Sequence, residues 1–67
     1  MKCKFFVYRH KFGTPDYMDV NITEDTCLSQ EDAVSIASEL NEIMKKNNLK
    51  CKYYVVMVCL YILITVI

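Results

Sequence analysis

The last fifteen residues, Tyr53 to Ile67, carry no charged side chain. A run of this kind must be buried in a membrane, a partner or the protein's own core. More than half of it is β-branched (Val55, Val56, Val58, Ile62, Ile64, Thr65, Val66 and Ile67), which favours strand. One strand of that length would extend about 50 Å, far beyond ordinary strands. A helix of the same length spans about 22 Å, short of a ~30 Å hydrocarbon core. The run is therefore expected to split near Cys59. Tyr53 to Val58 completes a sheet. Residues 59–67 form an apolar extension that is a further strand, an interface or a membrane-contacting segment. The strand or interface reading is preferred. A tail anchor, with Lys50 and Lys52 at the membrane surface, is the alternative.

The remaining residues predict one small domain over 1–58, of the α+β class. Cys3 to Phe12 reads as a strand. Cys3, Phe5 and Val7 line one face; Phe6, Tyr8 and Phe12 line the other. Apolar groups on both faces mark a central strand. Gly13-Thr14-Pro15-Asp16 reads as a turn. Tyr17 to Thr23 alternates, with Met18, Val20 and Ile22 pointing one way, as a strand with one buried face does. Ser29, with Asp32 three residues on, resembles a capping box. Ala33, Ile36, Ala37, Leu40, Ile43 and Met44 recur at helical spacing. Lys45 and Lys46 fall in the last turn, and Asn47-Asn48 stops the helix. The predicted helix covers about 29–47. A strand–helix–strand crossover makes strand three parallel to strand two. The sheet order 2-1-3 then leaves every neighbouring pair antiparallel. The expected fold is a two-layer ββαβ sandwich with one helix on one sheet face.

Charge and motifs narrow the functions. Eight basic and eight acidic residues cancel, unlike the basic surface of a nucleic-acid binder. The charges alternate in blocks, which reads as solvated faces. The acidic helix residues Glu31, Asp32, Glu39 and Glu42 fall under this reading. Four cysteines, at 3, 27, 51 and 59, include no C-x-x-C pair, and His10 is the single histidine. That spacing holds no zinc signature. The N-terminus reaches Arg9 before an apolar run of signal-peptide length forms. Reduced cysteines packed as small hydrophobes, and a cytoplasmic location, are expected. Membrane association through the tail is the alternative location.

His10 near Asp16 and Asp19 has the residue types of acid–base chemistry, but no recognisable nucleophile accompanies it. It reads as a surface histidine. Asn21-Ile22-Thr23 matches a glycosylation acceptor and reads as an accident of a polar strand face. No cofactor or metal is expected, and no enzyme. The candidate interaction surface is Phe6, Tyr8, Tyr54, Leu60, Tyr61, Ile62 and Ile64. Phe, Tyr, Met, Ile, Asn and Lys are abundant, whereas Gly and Pro occur once each. This bias points to an AT-rich gene. The expected function is a small non-enzymatic interaction protein acting by surface contact. A phage or mobile-element accessory protein that inhibits a host protein fits the size and bias. Protein partners or self-association are expected, and no small-molecule ligand. A tail-anchored membrane protein and a nucleic-acid module with an aromatic, basic sheet face are the alternatives.

Overall fold

A computed structural model describes residues 3–23 and 28–59. The element order is β1 (Cys3–Lys11), a 3-10 turn (Asp16–Met18), β2 (Val20–Asn21), α1 (Gln30–Lys46) and β3 (Cys51–Cys59). The three strands form one sheet in the order β2-β1-β3. Both pairings are antiparallel. The expected α+β fold with a 2-1-3 sheet and one helix is the fold observed.

The helix begins and ends on local chemistry. Ser29 caps it, its Oγ accepting from the Asp32 N–H at 3.1 Å. Glu31 and Asp32 lie in the first turn, Lys45 and Lys46 in the last, as the helix dipole favours. Asn48 takes a left-handed backbone with φ 53°. The Leu49 N–H then closes on the Met44 carbonyl at 2.9 Å, in Schellman fashion.

The core is small. Val7, Ala33, Ala37 and Tyr53 are its buried members among the described residues. Phe5, Ile22, Leu28, Ile36, Leu40, Met44 and Val55 pack around them. Ala33 and Ala37 present no bulk, so α1 sits close against Val7 at the centre of β1. Ile43, expected on the core-facing stripe, is 48% exposed.

The second strand departs from expectation. Tyr17 and Met18 lie in the 3-10 turn, where Met18 and Asp19 donate to the carbonyls of Pro15 and Asp16 at 3.0 Å each. Only Val20 and Asn21 pair as strand. Met18 and Val20 are exposed, and of the expected buried trio only Ile22 reaches the core. Pro15, at φ −66°, starts a local turn whose hydrogen bonds compete with the sheet ladder. Beyond Asn21 the Ile22 N–H still donates to the Val7 carbonyl, and the Thr23 hydroxyl accepts from the Val7 N–H. A side chain thus replaces the next rung.

Two further corrections concern cysteine. Cys3 and Cys59 form a disulfide across β1 and β3, closing a sequence separation of 56. The expectation of reduced cysteines fails for this pair. The cause is register: Cys3 lies directly opposite Cys59, a relation set by the sheet and not by spacing along the chain. Cys51 is free. Cys27 lies outside the described residues. Cys59, assigned to the tail by sequence, is the last residue of β3. The tail beyond it, residues 60–67, lies outside the described residues. Among the described residues no helix is long and apolar enough to cross a membrane.

Candidate functional site

The face of the sheet opposite α1 follows from the register. Phe6 pairs with Val56, Tyr8 with Tyr54, His10 with Lys52 and Lys4 with Val58. Partners directly opposite share a face. Val7, pairing Val55, lies on the helix face, so the even-numbered residues form the other face. No described element covers it. Phe6, Tyr8, Tyr54 and Val56 are half-buried and Val58 is exposed. The Tyr8 and Tyr54 rings stack with centroids 5.8 Å apart and planes 25° apart. Of the expected surface residues, Phe6, Tyr8 and Tyr54 are brought together here. Leu60, Tyr61, Ile62 and Ile64 lie outside the described residues.

One end of this face carries a polar cluster. The 3-10 turn swings Asp19 under the sheet end, where its side chain is only 7% exposed. One Asp19 oxygen lies 2.7 Å from His10 Nδ1, and the other accepts from the Tyr54 hydroxyl at 2.5 Å. Asp16, almost fully exposed, stands 3.7 Å from the same His10 nitrogen. These residues and Lys52 line an open hollow of about 330 Å³. His10, expected as a plain surface histidine, is therefore hydrogen-bonded and half-buried.

The electrostatics follow from these bonds. The Tyr54 hydroxyl, then His10, hold Asp19 below its ordinary 3.8. The same bond to Asp19, with burial, pushes Tyr54 up from 10.0 to about 12. Both shifts favour neutral Tyr54 beside ionised Asp19. The raised Tyr54 value contributes stability that is complete below pH 10.0 and lost as pH rises through about 12. The lowered Asp19 value contributes stability present above 3.8 and lost as pH falls below it. Phenolate absorbance is expected to show one tyrosine titrating near pH 12, absent in Tyr54→Phe. The thermal midpoint of the wild type should fall more steeply than that of Tyr54→Phe at both extremes. Parallel pH profiles would contradict the bond.

Three ligand atoms, one each from His10, Asp16 and Asp19, lie within 4.8 Å of one another. Such a set fits a divalent cation in its donor types. However, His10 Nδ1 already shares a hydrogen bond with Asp19, and the Lys52 ammonium borders the same hollow. Chemically, the cluster resembles the oriented acid–base chain of a hydrolase, but Ser, Cys and Thr do not appear in its lining. Sequence reasoning named His10, Asp16 and Asp19 together and missed Tyr54 as their partner. Only the β1–β3 register, which sets Tyr54 beside Tyr8, reveals it.

The fold and face define a small α+β protein with one sheet surface covered by α1 and another that no described element covers. Comparison with known proteins finds no match to the chain among family models, curated proteins or solved structures.

Proposed function

We propose that this is a small non-enzymatic interaction protein that engages a protein partner through the open sheet face. The observation that supports this most is the strip of Phe6, Tyr8, Tyr54, Val56 and Val58, contiguous across two paired strands and covered by no described element. Contiguous apolar surface on a small domain marks a contact site. Stacked tyrosines supply rigid, amphipathic contact area with little entropy to lose. The polar rim formed by His10, Asp16, Asp19 and Lys52 suits an interface edge.

A base-stacking surface would use the same tyrosines. Asp16 and Asp19 stand at its end and would repel a phosphate backbone, which favours protein over nucleic acid. The AT-rich residue bias keeps a phage or mobile-element accessory role within this proposal.

A photo-crosslinking residue placed at Val56, on the open face, is compared with one at Val34, exposed on the helix. In the cells that make the protein, position 56 is expected to give a defined protein adduct that position 34 does not. Nucleic-acid adducts, equal labelling from both positions, or no adduct at 56 would overturn the reading.

A further inference from the structure

Among the described residues β3 is an edge strand, and a side chain caps that edge at one residue, Tyr53. The ladder fixes which backbone groups point outward. Ile22 donates to the Val7 carbonyl, so Val7 turns its backbone groups toward β2. Alternate residues of β1, among them Phe6 and Tyr8, turn toward β3. Their opposites on β3 are Val56 and Tyr54. Cys51, Tyr53, Val55, Met57 and Cys59 therefore direct their N–H and C=O groups away from the sheet.

The helix confirms this and caps one of them. Asn41 Oδ1 accepts from the Tyr53 N–H at 2.8 Å, and Asn41 Nδ2 donates to the Tyr53 carbonyl at 2.9 Å. The amide acts as a one-residue surrogate strand. Beyond it, among the described residues, no such cap reaches Val55, Met57 or Cys59. In this same stretch Met57 is 60% and Val58 44% exposed, the two exposed large hydrophobics of β3. An unpaired edge carrying apolar side chains is a template for strand addition.

We propose that a second copy of this chain occupies this edge, pairing β3 with β3 in antiparallel fashion about a two-fold axis at Met57. That register sets Met57 opposite Met57 of the partner subunit, and Val55 opposite the partner's Cys59. Every uncapped outward group from Val55 to Cys59 then finds a partner. Charge permits it: Tyr53 to Cys59 carries none, and Lys52, the single charge of β3, falls outside the paired stretch. Asn41 limits the register, because sliding the axis toward Cys51 would require displacing it from Tyr53. The product is a six-stranded sheet, 2-1-3-3-1-2, with the two open faces joined. A five-residue strand contact is smaller than a standard interface, so a weak, concentration-dependent dimer is expected. The pairing uses the backbone edge and stands independently of the partner proposed for the open face.

Sedimentation of the full chain across about 1 μM to 1 mM tests it. The wild type is expected to pass from monomer to dimer. Met57→Lys places two like charges at the axis and should weaken the dimer at least about 10-fold, with an unchanged circular dichroism spectrum. Met57→Pro removes an N–H that points outward in the monomer, which an edge strand tolerates, and should do the same. Should either variant unfold, hydrogen exchange on the wild type decides. The Val55 and Met57 amides should slow as concentration rises, while the Tyr53 amide is protected throughout by Asn41. A wild type that stays monomeric at 1 mM overturns the proposal. So does a dimer unaffected by either folded variant, or concentration-independent exchange at Val55 and Met57.

Discussion

Reducing the Cys3–Cys59 bridge is expected to lower stability by about 4 kcal/mol in the chain-entropy description of a loop this long. The bridge closes a sequence separation of 56, nearly the whole chain. A domain of 67 residues has a total stability of only about 3–10 kcal/mol. Among the described residues the buried core holds four side chains, two of them alanine, so their packing alone leaves little margin. Reduced protein, and the Cys59→Ser variant, should therefore unfold at a much lower urea concentration and be largely unfolded near 37 °C. Cys51→Ser, which removes a thiol outside the bridge, should leave the midpoint almost unchanged. Identical urea midpoints with and without reductant would show that the bridge does not stabilise the domain. The same bond bears on location. A disulfide persists in oxidising surroundings, whereas a cytoplasmic chain stays reduced. Alkylating thiols in intact cells before lysis separates the two: a blocked Cys3 and Cys59 pair points to the cytoplasm, an unreactive pair to an oxidising compartment.

Val7→Ala is expected to cost about 2–3 kcal/mol, the second largest loss. Among the described residues Val7 is the one fully buried side chain larger than alanine, at 0% exposure. It lies in the middle of the central strand, opposite Val55 and beneath the two helix alanines. Its backbone is held on the β2 side by the Ile22 amide and the Thr23 hydroxyl. The neighbours thus cannot collapse freely into the space left behind, and a cavity persists. Val58→Ala removes the same two methyl groups from a surface position and should cost under about 1 kcal/mol. Chemical denaturation of the two variants gives the comparison. Equal losses would show that the core is not centred on Val7.

The elements that were legible rest on short-range chemistry. Ser29, the acidic first turn, the three–four apolar spacing and Asn47-Asn48 delimit α1 within one residue at each end, because caps and periodicity act within a turn. The apolar residues on both faces of Cys3 to Phe12 mark the central strand, which the structure ends at Lys11, and with it the sheet order. Alternation misled at Tyr17 to Thr23. There the turn after Pro15 satisfies its own backbone, and exposing Met18 and Val20 costs less than breaking it. At the candidate site, Phe6, Tyr8 and Tyr54 were expected on one aromatic sheet face, and the β1–β3 register places them there. The bond from Tyr54 to Asp19 spans 35 residues, and no local pattern reports it.

The chain's uncharged end, by itself, requires burial and predicts that Tyr53 to Val58 belongs to a sheet. Local preference and hydrophobic pattern determine that much, since both are properties of neighbouring residues. Tertiary structure decided the rest: that β3 runs on to Cys59, that Cys59 meets Cys3, and that Asn41 closes the edge at Tyr53 but not beyond. Each of these depends on register and on where the helix lies across the sheet. Both are set only when distant segments pack, and a one-residue shift in either would change every partner.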